Sequence, residues 1–231
     1  MFCDTEIADS CQEISSCGIL PATPPGERNA LEGKSVKYIL KPNTPYWFPI
    51  RATYHRAKQI YDSIRTLDFG QSIFHPYLPL LRKVVYSNDD FKNPEHYIQE
   101  LPLDPSLLFV NSTVETFRNL LSMSVKGLTP YYNHFAENEL GKNDFLIVPD
   151  KQMRSFRIIV ESQNENIIVD QSIAPTYVEG DAVVVIGGPF TGVEGKVLKF
   201  KGQKRVFVQI PGLGCFGTAY VPKDWIRKVE K

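Results

Sequence analysis

Residues 180–210 read GDAVVVIGGPFTGVEGKVLKFKGQKRVFVQI, and this alternation of short apolar runs with glycines leaves room for strands and tight turns but not for a helix. Ala182 to Ile186 is a continuous apolar run of strand length. It stops at Gly187, Gly188 and Pro189, which pack poorly and cannot all donate to a ladder. Gly192 and Gly195 bracket Val193 and Glu194, a spacing that suits a tight loop with positive φ. The chain re-enters a strand over 196–201, and Gly202 and Gln203 read as a two-residue hairpin turn with glycine first. Beyond it Val206, Val208 and Ile210 alternate with Arg205, Phe207 and Gln209, so the returning strand has one apolar and one mixed face. The pattern predicts a small all-β barrel over 180–231.

Upstream the periodicity changes. Residues 1–45 mix Ser, Pro, Gly, Glu and Asn, with PATPPGERN too polar and proline-rich for a core, and read as a flexible extension. A domain over 46–170 follows. Tyr46, Trp47, Phe48, Ile50 and Ala52 form a first strand, in which Pro49 demands an edge or a bulge. Thr53 stands as N-cap of a helix carrying Ala57, Ile60, Tyr61 and Ile64. Residues 88–105 read as a polar excursion, and Leu107, Leu108, Phe109 and Val110 as a buried strand. Ser112 or Thr113 caps a second helix, with Val114, Phe117, Leu120 and Leu121 on one face, and Asp150 caps a third with Met153, Phe156 and Val160. This order gives an α+β layer of helices on an antiparallel sheet, joined by a linker over 171–179 to the barrel.

Charge decides which partners are open to such a chain. Lys+Arg 26 balances Asp+Glu 26, so contact with nucleic acid requires local asymmetry. That asymmetry lies after Gly180, where Lys196, Lys199, Lys201, Lys204, Arg205, Lys223, Arg227, Lys228 and Lys231 face only Asp181, Glu194, Asp224 and Glu230. Cys3, Cys11, Cys17 and Cys215 contain no CxxC pair, which favours reduced thiols over a zinc site. The N-terminus lacks the basic and apolar regions of a signal peptide, and no apolar run is long enough for a membrane span, so a cytoplasmic protein is expected.

The valine-rich strand, GGPFTGVEG, basic hairpin and closing strand together resemble the KOW motif of the NusG transcription factors, which also occurs in RNA-binding ribosomal proteins. Upstream, YWFPIRATYHRAKQIYDSI and DPSLLFVNSTVETFRNLL are similar to the strand–helix units of the NusG N-terminal domain. TPYYNHFAENELGKNDFLIVPDKQMRSF resembles the UpxY-type NusG paralogues encoded with capsular polysaccharide operons. The resemblance covers most of 46–231. It departs at Asp104, where an apolar residue is expected before Pro105, and over 88–103, which is acidic or neutral where relatives often carry a basic hairpin.

The resemblance implies a monomeric, non-catalytic factor that binds the clamp helices of RNA polymerase, bridges the DNA channel, and suppresses pausing and termination on a surface polysaccharide operon. A helix-in-groove contact needs an apolar pocket with aromatic walls, which Leu107, Phe109, Phe117, Leu120 and Leu121 can supply, although each is equally what a buried strand and helix carry. Arg51, Tyr54, His55 and Arg56 cluster where the first strand meets the first helix, the end that faces non-template DNA in the family; cations beside rings suit unpaired bases. Phe190, at the turn tip, is either tucked under its own loop or offered to a partner, and the matching aromatic in relatives contacts the termination factor Rho or a ribosomal protein. The alternative is a KOW module that binds ribosomal or leader RNA through Lys199, Lys201 and Arg205.

Catalysis has no scaffold in this sequence. No HExxH, GxSxG or Walker pattern occurs, and His134 with Glu137 and Glu139 is too loosely spaced in a polar loop to make a metal site. No cofactor and no metal are expected.

Overall fold

The computed structural model describes residues 40–86, 96–137, 143–170, 180–200, 202–210 and 212–229. Most of the expected extension (1–39) and all of the expected linker (171–179) lie outside these residues. Leu40, ahead of the expected start at Tyr46, packs against the first core.

The chain begins with strand β1 (Tyr46–Ala52), helix α1 (Ala57–Ile64) and strand β2 (Phe74–Tyr77). A ribbon of β3 (Leu80–Tyr86) and β4 (His96–Pro102) comes next, then β5 (Leu107–Ser112), α2 (Val114–Ser122) and β6 (Leu128–Pro130). Among the described residues β2, β5, β1 and β6 pair in that order as an antiparallel sheet. The run Leu107–Val110 is apolar at every position because both faces of the sheet are covered. Leu108 and Val110 turn toward α1 and α2, where Phe48 stacks on Phe117 at 4.2 Å with 7° between the rings. Leu107 and Phe109 turn the other way, toward a second core.

Proline at 49 does not force β1 to an edge, since the strand is paired on both sides. Its carbonyl accepts from Tyr131 N, so its missing N–H faces Tyr131 as well; the Tyr131 carbonyl is satisfied instead by Leu146 N at 2.9 Å. Thr53 does not cap α1. Its hydroxyl donates to the Gly127 carbonyl at 3.2 Å, and the helix starts four residues later without a side-chain cap. Thr113 does cap α2, accepting from Thr116 N at 3.3 Å. Part of the expected excursion is strand β4, paired with β3 from Leu80↔Pro102 to Tyr86↔His96. Residues 87–95 lie outside the described part.

After β7 (Tyr132–Glu137) and β8 (Asn143–Phe145) comes α3 (Asp150–Glu161), where Pro149 rather than Asp150 is the N-cap and Asp150 occupies the first turn. Strand β9 (Ile168–Asp170) precedes β10 (Ala182–Val185), β11 (Glu194–Phe200), β12 (Gln203–Ile210), β13 (Gly214–Gly217) and β14 (Ile226–Lys228). The described strands of this C-terminal sheet order β14-β10-β11-β12-β13-β9. Thus β9, which belongs to the first domain by sequence position, is hydrogen-bonded into the second sheet through Phe216↔Val169. Phe200 pairs with Gln203, so Gln203 belongs to β12 and not to the turn, and Gly202 before it has φ +78°. On the mixed face of β12 Phe207 is buried against Cys215, while Arg205 and Gln209 are half-buried.

Helix α3 joins the two sheets. Phe156 lies 5.4 Å from Phe109 on one side and 4.5 Å from Phe216 on the other, while Ile159 enters the core of Val183, Val185, Phe190, Val206 and Val208. Ser155 Oγ accepts from Glu194 N at 3.0 Å, and Lys151 pairs with Glu194. At the helix's far end, Gln163 donates to the Leu80 carbonyl and accepts from Arg82 N, so one amide occupies the outer edge of β3.

Candidate nucleic-acid interface

The turn Thr53–His55 holds two successive non-glycine residues in the left-handed region, Tyr54 at φ 58° and His55 at φ 57°. For L-residues that conformation costs about 1–2 kcal/mol per residue, and it persists only where neighbours enforce it. Thr53 N donates to the Gly127 carbonyl at 2.9 Å and Ala57 N to the Pro105 carbonyl at 2.9 Å, pinning both ends of the turn. Gly127 has φ +87°, and a Cβ there would lie 2.9 Å from Thr53 Oγ1, so this anchor needs glycine. Between the anchors, His55 Nδ1 and Ser106 Oγ share a hydrogen bond of 2.8 Å.

The result is a ring held away from the protein. Tyr54 is 85% exposed, and the Arg56 guanidinium sits 6.0 Å from its centroid. Arg51, His55, Lys58 and Lys126 are exposed on the same or adjoining segments. A rigidly mounted phenol among cations can stack an unpaired base while the cations take its phosphates. Asp104 is accounted for locally: Oδ1 accepts from Ser106 N at 2.7 Å, an Asx turn that leads into β5 and supports the His55 partner. Behind the turn, burial raises the Tyr131 pKa; Arg51 opposes the rise and Asp104 adds to it.

Arg51, Tyr54, His55 and Arg56 are therefore brought together. Ser106 joins them through its bond to His55 and exposed Lys126 precedes the Gly127 anchor; the sequence pattern missed both because they lie 50 residues or more from the turn in the chain. The five apolar candidates are not brought together. Leu107 and Phe109 face α3 and the C-terminal sheet, whereas Phe117 and Leu120 lie beneath the opposite face and Leu121 packs at its margin. They are core residues of two separate clusters.

On the C-terminal sheet Lys199 and Lys204 are both exposed and stand directly across from each other, an arrangement of like charges that an anion would relieve. Lys201 lies outside the described residues. Arg205 is committed to structure: it donates to the carbonyls of Asn166 and Thr218 and to Gln203 Oε1, and so staples the segment before β9 to β12. Phe190 takes the first of its two alternatives. It is 3% exposed, folded back under its own turn between Val185 and Val193.

Among the described residues no helix is long and apolar enough to cross a membrane. The KOW motif family model matches residues 179–210, which is β10, the glycine turn, β11 and β12. No curated protein matches the chain.

Proposed function

We propose that this protein is a non-catalytic, NusG-type transcription factor that holds unpaired nucleic acid at the Tyr54 turn while bound to RNA polymerase, and that it suppresses termination within a surface polysaccharide operon. The observation that carries the reading is the strained turn itself. A backbone that spends stability to keep a tyrosine in solvent beside arginines has a use for that ring outside its own fold. The KOW motif is consistent with this class, and the non-template DNA strand is the ligand the turn suits.

Polymerase contact in this reading is coupled to the seam between the sheets. A clamp helix seated on Leu107 and Phe109 would displace Phe156, Ile210 and Phe216, so docking there and separation of the C-terminal sheet are one event. Rho or a ribosomal protein would need a contact other than the buried Phe190.

Transcript sequencing with and without the protein tests the proposal. Read-through confined to one long operon, lost in Tyr54→Ala, is the expected result; unchanged transcript ends across the genome would overturn it. A second reading, an RNA-binding module acting on leader or ribosomal RNA, is favoured by the opposed Lys199 and Lys204. It predicts salt-sensitive RNA binding that Lys199→Gln with Lys204→Gln weakens and Tyr54→Ala does not.

A further inference from the structure

We infer that the C-terminal sheet carries its own track for single-stranded nucleic acid, running from the Trp225 indole through Lys223 and Tyr220 to the opposed Lys204 and Lys199. The inference rests on the reading of the protein as a nucleic-acid binder and names a site that shares no residue with the Tyr54 turn.

Trp225 ends a short 3-10 turn, Lys223–Trp225, and its carbonyl accepts from Ile186 N at 2.8 Å. The indole lies against the backbone of Gly187 and Gly188. A Cβ on Gly187 would stand 3.0 Å from Cδ1 and Cγ, and one on Gly188 would run into the six-membered ring. Only a glycine pair lets the ring approach so closely. Although packed on this backbone, Trp225 is still 40% exposed. An aromatic held in this way loses little freedom on stacking a planar ligand.

Tyr220 is the second ring, 54% exposed. Its segment is held alongside β12 by Thr218 N to the Val206 carbonyl and Val221 N to the Lys204 carbonyl, which sets Tyr220 beside the strand that bears Lys204. Lys204 faces Lys199 across the hairpin, and exposed Lys223 stands between the two rings in sequence. Rings alternating with cations match bases alternating with phosphates. An apolar peptide would use the rings and leave the paired lysines unmatched, so charge favours the polyanion. Asp224 is the acid within the 220–225 segment, against nine bases and four acids over the whole of 180–231.

The chain has two tryptophans, so full-length Trp47→Phe protein reports on Trp225 alone. Titration with short oligouridylate and with oligothymidylate is expected to quench its emission saturably, and the tighter of the two identifies RNA or DNA as the natural strand. Trp225→Leu, which keeps an apolar group on the glycine pair, should weaken binding by roughly tenfold. Lys199→Gln with Lys204→Gln should weaken it and flatten its dependence on salt. Should Trp225→Leu fail to fold, the quench and the lysine variants decide the matter. Quenching that survives Tyr54→Ala supports the track independently of the turn. Emission that stays constant while oligonucleotide still binds, with affinity falling only in Tyr54→Ala, overturns the track and leaves the turn standing; absence of binding by both oligonucleotides overturns both.

Discussion

Two turns in this molecule carry an aromatic residue through left-handed backbone, and they solve the problem in opposite ways. The turn after β10 does so with glycines, Gly188 at φ 75° and Gly192 at φ 90°, and hides Phe190 beneath itself. The turn after β1 places Tyr54 and His55 themselves in the left-handed region and leaves the tyrosine in solvent. Glycine makes the first conformation nearly free, whereas the second is retained at a cost. In the proposed function the strained, exposed Tyr54 is the side chain kept for a ligand, whereas glycine and burial make Phe190 part of the fold.

That contrast breaks first at Phe190. Phe190→Ala should destabilise the protein by about 3–5 kcal/mol through the cavity it leaves, read as a lowered midpoint in denaturant unfolding. Tyr54→Ala should leave that midpoint unchanged while oligonucleotide affinity falls by roughly tenfold. If Phe190→Ala proves neutral and Tyr54→Ala destabilising, the assignment of roles is reversed. Gly188→Ala comes next, with a loss of more than about 1 kcal/mol from positive φ and the Trp225 ring together.

Tyr54→Gly sharpens the same comparison from the other side. Relief of the strain, offset by the entropy of glycine, should raise stability by about 0.5 kcal/mol while binding is lost. A stabilised variant that still binds would show that the ring is dispensable.

An effect confined to alkaline pH lies at the seam. Burial, helped by Glu161 and opposed by Arg157, pushes the Tyr77 pKa up from 10.0 to about 12. A phenol whose pKa is higher when folded contributes stability in full below pH about 10 and loses it as pH rises toward 12. Tyr77→Phe should therefore flatten the alkaline fall in unfolding midpoint.

What could be read from the sequence was local. The glycine punctuation over 180–210 located β10, β11 and β12 because turn chemistry acts over two to four residues. The run Leu107–Val110 revealed a strand covered on both faces, but not that its two faces served different cores, since that depends on where α3 lands. Thr53 sits at cap spacing but does not cap, because its hydroxyl is claimed by Gly127, 74 residues away. Strand β4 escaped notice because Tyr97, Ile98, Gln99 and Glu100 are all exposed and show no alternation of burial. Of the candidate interface, the cluster Arg51, Tyr54, His55 and Arg56 was legible as composition. Its strain was not, because φ is set by anchors on other segments. The mounting of Trp225 depends in the same way on Gly187 and Gly188, far upstream.

The pairing of β9 with β13 also sets a timetable during synthesis. The N-terminal sheet has its four described strands once Pro130 has left the ribosome, but Asp170 waits for Cys215 and Ile168 for Gly217. Until then Phe156, Ile159 and Phe109 have no C-terminal sheet to cover them, and a nascent chain presents an aromatic seam that the finished protein conceals. Slow translation over 171–217 would prolong that interval.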